Sequence, residues 1–172
     1  MSMISWINTR RRNVIDFGRY KKRGLTIPQL LFTDPDYMFW AIEDQVFPWP
    51  ARAEANDLYR RATAIRIPAG YGDNVAVEYA IDRHTGRFEG MSLVPTCVVR
   101  DGGSSHSLIR GVIDMSIPHQ QCPRDKGGNK IMIRDIKEIV FGSPKYRLTK
   151  KFLEAFFNND DNFALDGIGR VT

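Results

Sequence analysis

Hydrophobic positions follow two different rhythms along the chain. Between Thr26 and Ala64 they recur at spacings of three and four, the period of an amphipathic helix. The piece "TIPQLLFT" carries Thr26 as a cap and Pro28 in its first turn, where a missing N–H does no harm. Asp34 then precedes Pro35, a cap followed by proline at the first helical position. The pattern predicts a helix from Pro35 to about Phe47, apolar over a wide arc and therefore well buried. Tyr37, Trp40, Ala41 and Asp44 share one of its faces, and Met38, Ile42 and Gln45 the next. "PWP" at Pro48–Pro50 stops it, and Ala55, Leu58, Tyr59 and Ala62 predict a further helix over Ala51–Ala64.

From Val75 the period changes to two. Val75, Val77, Tyr79 and Ile81 alternate with Ala76, Glu78, Ala80 and Asp82, "DRHTGR" supplies a turn, and Phe88 to Val99 returns as a second strand. Leu108 to Ile117 reads as a third strand with Ile109, Ile113, Met115 and Ile117 on one face. The polar, glycine-rich "PHQQCPRDKGGN" reads as a long exposed loop. "IMIRDIKEIVFG" fits a strand poorly, because charge then falls on both faces. As a helix it has a stripe of Met132, Ile136, Ile139 and Val140 and a glycine stop at Gly142, and helix is the reading favoured. Thr149 caps a last helix, "KKFLEAFF", whose apolar face is Phe152, Leu153, Phe156 and Phe157.

These elements predict an α+β fold: a helical N-terminal unit packed on an antiparallel sheet and closed by C-terminal helices. The breaker "IPAGYGDN" places the boundary near residues 66 to 73. The chain then divides into a flexible basic arm (1–13), a helical module with a basic-aromatic loop (14–66), a strand-rich part (74–157) and a loosely held tail (158–172). At 172 residues the chain suits one domain, or one domain with a small appendage.

Composition changes this picture little. Hydrophobic residues make up 42% and charged residues 26% of the chain, and a chain of this size buries roughly 70% of its unfolded surface, so its core needs no staples. Two cysteines, Cys97 and Cys122, make no disulfide framework. No apolar run has the length of a signal peptide's core or of a membrane span, and a cytoplasmic, bacterial-type location is the default expectation.

Charge changes the picture more. The net charge is +5, and Arg10, Arg11, Arg12, Arg19, Lys21, Lys22 and Arg23 lie within fourteen residues, opposed by Asp16 and interleaved with Phe17 and Tyr20. Cations neutralise phosphates and aromatics stack on unpaired bases, so this stretch is the candidate nucleic-acid contact, with Tyr20 as its stacking member. The competing reading is a solvated turn whose Phe17 and Tyr20 pack inward.

Other constellations carry weaker signals. Asp114, with Asp135-x-Lys137 on a neighbouring strand and Glu78 as a third carboxylate, resembles the carboxylate set of metal-dependent nucleases, but needs residues 131 to 138 to be a strand. Cys97, His106, His119 and Cys122 form a zinc-like set without the two close pairs such sites show. Cys122, with Arg124 and Lys126 nearby, is a candidate thiol nucleophile with no group to orient a base. Tyr37, Phe39, Trp40, Phe47 and Trp49 read as core, with an oligomer or protein-partner surface as the alternative. No catalytic residue, metal ligand or cofactor is assigned.

The stretch "DFGRYKKRGLTIPQLLFTDPDYMFWAI" resembles a short unit in the C-terminal region of exodeoxyribonuclease X-like proteins and of some small bacterial proteins. Phe17, Gly18, Arg19, Tyr20 and Lys21, then Pro35, Tyr37 and Trp40, are the matching positions. The match covers about 30 residues, and Lys22-Arg23 lengthens the loop before its glycine. The resemblance implies an accessory module that handles nucleic acid, without catalysis of its own. The sequence therefore points to a non-enzymatic, nucleic-acid-associated accessory protein of bacterial or phage DNA metabolism. A small metal-dependent nuclease and a protein-interaction module are the alternatives.

Overall fold

Short-range capping fixes where the first two helices begin. The computed structural model describes residues 12–97, 103–123 and 125–167. α1 (Ile27–Thr33) opens at Thr26, whose N–H is taken by the Gln29 side chain at 3.0 Å. α2 (Pro35–Glu43) opens at Asp34, which accepts from the Tyr37 N–H at 3.1 Å. α3 (Ala51–Ala62) follows the proline pair.

α2 stops short of the expected Phe47. Gln45 adopts a left-handed backbone (φ 55°), and the Val46 N–H turns back to the Ala41 carbonyl at 2.8 Å. This is the closure that glycine normally supplies after a helix. A left-handed L-residue costs roughly 1–2 kcal/mol, partly recovered because glycine loses more chain entropy on folding. Gln45→Gly is therefore expected to raise stability by about 0.5–1 kcal/mol in chemical denaturation, while Gln45→Val lowers it.

The sheet has the order β2–β1–β3, all antiparallel. β1 (Val75–Asp82) pairs with β2 (Phe88–Pro95) in the register Val77 to Leu93 and Tyr79 to Met91, and with β3 (Ser105–Arg110) in the register Tyr79 to Leu108. Ala76 to Tyr79 are all buried, so mid-β1 is covered on both faces. β2 ends at Pro95, short of the expected Val99: Thr96 and Cys97 form a turn, and residues 98 and 99 lie outside the described residues.

The third strand is shorter and earlier than its alternation predicts. It ends at Arg110, and Ile113 pairs instead with Ile65 across the presumed boundary region, the two exchanging N–H···O bonds of 3.0 and 2.8 Å. Tyr79 fixes this departure, donating to the Val112 carbonyl (3.1 Å) and accepting from the Asp114 N–H (2.6 Å). The expected long loop is also shortened. α4 (Ile117–Gln121) starts directly after Ser116, with Pro118 in its first turn, and Cys122 is buried.

α5 (Gly128–Phe141) confirms the helix reading and ends on left-handed Gly142. Asp125 and Asp135 accept the N–H groups of Phe88 (2.8 Å) and Met91 (2.9 Å) on β2, finishing an edge that would otherwise carry unpaired donors. α6 (Lys150–Asn158) is capped by Thr149.

The tail is held, in contrast to its polar composition. Short 3-10 turns cover Asp160–Asn162 and Leu165–Gly167, and between them Phe163 is 1% exposed, bridged to Ile65. Burying such a ring contributes roughly 1.5–3 kcal/mol. Residues 168–172 lie outside the described set. One buried cluster includes Ile15, Leu30 and Phe39 of the N-terminal unit, Val77 and Tyr79 of the sheet, and Met132, Ile136 and Phe157 of the closing helices.

Candidate nucleic-acid interface

The basic loop is a closed unit built on α2. Val14 bridges to Thr26, the Ile15 N–H bonds the Leu25 carbonyl at 2.8 Å, and the Arg23 N–H bonds Tyr20 at 3.0 Å. Gly18 has φ +58°, and a Cβ there would overlap the Tyr37 hydroxyl. Glycine is thus required both for the turn and for the approach to α2. Phe17 stacks toward Tyr37 (6.5 Å between centroids) and meets Phe47 edge-on (5.0 Å), while Tyr20 meets Tyr37 at 5.1 Å.

Asp34 joins the loop to the helix. Besides capping α2 it accepts the Tyr20 hydroxyl at 2.6 Å and pairs with Arg19. Burial, then this carboxylate, pushes the Tyr20 phenol above its usual range. Tyr20 is only 8% exposed, so it is a structural member of the loop, and its ring is not open for stacking.

The exposed aromatic surface lies one step further. The Arg19 guanidinium sits 4.8 Å from the centre of Tyr37, Tyr37 is 5.3 Å from Trp40, and Trp40 is 41% exposed. Lys21, Lys22 and Arg23 are exposed, and none has a carboxylate partner among the described residues. Arg23 lies 5.5 Å from the centre of the Tyr20 ring. Arg10 and Arg11 lie outside the described residues. Arg12 is committed internally: its side chain is 6% exposed, paired with Glu54 at 3.5 Å and bonded to Asn158.

The carboxylates of the nuclease-like set are also committed. Residues 131 to 138 are helical. Asp135 is buried, bonded to Met91 N–H and paired with Arg134 at 2.7 Å. Asp114 accepts from the Ser116 N–H (2.8 Å) and hydroxyl (2.6 Å); burial raises its pKa and these bonds oppose the rise. Glu78 accepts from the Ser107 hydroxyl at 2.7 Å. Among the described residues no three His, Cys, Asp or Glu side chains are arranged to hold a metal. Cys97 is exposed and Cys122 buried, with burial and then Asp125 pushing the Cys122 thiol up to about 11, which disfavours its thiolate.

His119 has a different role from the expected zinc ligand. Its ring fits between Asp36 (Nδ1, 2.6 Å) and Glu43 (Nε2, 3.0 Å), two turns apart on α2, and so joins α4 to α2. Burial alone would lower its pKa, but the bonds to Asp36 and Glu43 outweigh it and raise it. A raised folded pKa means this contribution is full below the unfolded value of about 6.5 and is lost as pH climbs through the folded value. Denaturation at pH 6 and pH 9 should therefore show a loss of up to about 1 kcal/mol on going to high pH that His119→Gln lacks.

A second basic-aromatic run straddles the start of α6. "KYRLTKKF", Lys145–Phe152, carries exposed Lys145, Arg147, Lys150 and Lys151, and its Tyr146 and Phe152 line a cavity of about 500 Å³. No protein-family model, curated protein or solved structure matches the chain.

Proposed function

We propose that this protein is a nucleic-acid-associated accessory factor of bacterial or phage DNA metabolism that binds through the loop at 19–23. The observation carrying this reading is the set Lys21, Lys22 and Arg23, exposed and without carboxylate partners among the described residues, beside a ladder of Arg19, Tyr37 and the exposed Trp40. Phosphate neutralisation needs accessible cations, and base stacking needs an accessible ring. The loop supplies the cations and Trp40 the ring. The resemblance of residues 16–42 to the exodeoxyribonuclease X-like unit supports the same reading.

Relative to the expected contact set, Arg12 and Tyr20 move into a supporting role. Arg12 ties the chain to α3 and α6, and Tyr20 holds the loop on Asp34. The test is retention of labelled single- and double-stranded DNA and RNA at low salt, with Lys21→Ala/Lys22→Ala/Arg23→Ala as comparison. Retention lost in the variant supports the reading. Absence of binding to every oligonucleotide, or equal retention by the variant, removes it.

A further inference from the structure

The cavity beside α6 has the chemistry of a base pocket. It lies where the end of α5, the 143–149 connection, α6, residues 65–69 and the Asp161–Asn162 turn meet. Its volume of about 500 Å³ falls in the range of roughly 300–1,000 Å³ common for small-ligand pockets. The wall is aromatic: Tyr146 and Phe152 are 4.9 Å apart, Phe141 and Phe152 5.0 Å, and Phe141 and Phe156 5.2 Å. All four rings are half-buried, so part of their surface faces the opening.

Polar groups stand beside that wall. Arg66 gives its Nε–H to the Phe163 carbonyl at 2.9 Å, which leaves its terminal nitrogens without a partner among the described residues. The Asp161 carboxylate is exposed and likewise has no hydrogen-bonded partner there. A donor group and an acceptor group at one aromatic cavity match the mixed edge of a nucleobase. Charge then selects the kind of ligand. Lys145 and Arg147 flank Tyr146, and Lys150 and Lys151 precede Phe152; all four are exposed and form no ion pair among the described residues. An uncharged aromatic ligand has no use for four exposed cations next in sequence to the lining rings Tyr146 and Phe152, whereas a base carried on a phosphodiester chain brings phosphates to both sides.

We infer that this cavity takes one unpaired base of single-stranded nucleic acid, with Lys145, Arg147, Lys150 and Lys151 holding the flanking phosphates. The inference rests on the nucleic-acid reading and narrows it to single strands, because bases stacked inside a duplex cannot enter such a cavity. The cations at 19–23 supply phosphate contacts to either form, and the cavity adds a second place, besides Trp40, where an unpaired base can stack.

The experiment measures affinity of the full chain for a short oligothymidylate and for a hairpin duplex of equal charge. The parent should prefer the single strand by about tenfold or more. Tyr146→Ala should weaken the single strand about tenfold and leave the duplex unchanged. Should Tyr146→Ala lower folding stability, the Lys145→Ala/Arg147→Ala/Lys150→Ala/Lys151→Ala variant, altered only at exposed positions, tests the same pocket. It should flatten the slope of log K against log salt for the single strand by about 3. Equal affinity for both forms, or a single strand that binds the four-site variant as it binds the parent, overturns the cavity assignment. The Lys21/Lys22/Arg23 variant separates the two readings. If it alone weakens binding, the loop proposal stands and the cavity falls; if no oligonucleotide binds, both fall. Binding of free thymidine or thymidylate as tight as that of the oligonucleotide also overturns it, marking a small-molecule pocket.

Discussion

Asp34→Ala should lower folding stability by about 3 kcal/mol, which for a chain of this size is a fall in Tm of about 10 °C. Two losses combine. The helix cap on the Tyr37 N–H contributes about 1 kcal/mol. The Tyr20 hydroxyl, nearly buried, loses its charged acceptor, at a cost of roughly 1.5–3 kcal/mol. The Arg19 pair adds little, because its side chain is 62% exposed. Asp34→Asn keeps a capping oxygen and should cost clearly less. Tyr20→Phe removes the hydroxyl and leaves the cap, at about 1 kcal/mol. Urea denaturation of the three variants checks the order Asp34→Ala, then Tyr20→Phe and Asp34→Asn. An Asp34→Ala variant as stable as the parent would mean that the loop is not held through this carboxylate.

Lys21→Ala/Lys22→Ala/Arg23→Ala should have the opposite profile, with stability nearly unchanged and nucleic-acid affinity strongly reduced. The three side chains are exposed and carry no carboxylate partner among the described residues, so removing them leaves no buried group unpaired. Each phosphate neutralised on a single strand contributes about 0.7 to the salt slope. Three should flatten it by about 2 and lower affinity about a hundredfold at low salt. Trp40→Ala, which removes an exposed ring beside the loop, should weaken single strands by a further five- to tenfold and change the salt slope little.

The parts of this molecule legible in its sequence are those governed by neighbours a few residues apart. Thr26, Asp34, Thr149 and Gly142 act as caps at the positions their residue types predict. The period-two run at Val75–Asp82 and the helix over residues 128–141 follow from patterning alone. What pattern does not carry is partnership over long separations. The alternation from Leu108 to Ile117 continues past the end of β3, but Ile113 finds its backbone partner in Ile65, forty-eight positions earlier. Phe163 lies in a polar tail and is buried because that same Ile65 segment pairs with it as well.

The candidate site shows the same division. Its charge run is plain in the sequence, yet which cations remain accessible depends on distant carboxylates. Glu54 takes Arg12, and Asp34 takes Arg19 and Tyr20. The second run at 145–151 is equally visible as charge. Its significance depends on the cavity formed with residues 65–69 and 161–162, which no local pattern indicates.

The accessible cations at 21–23 are proposed to bind the phosphates of a nucleic-acid strand. The most direct measurement is the dependence of single-strand affinity on salt for the parent and for Lys21→Ala/Lys22→Ala/Arg23→Ala. The parent should show a steep slope, flattened by about 2 in the variant, with both proteins equally folded. Parallel lines of equal affinity, or a parent with no measurable binding at low salt, would contradict it.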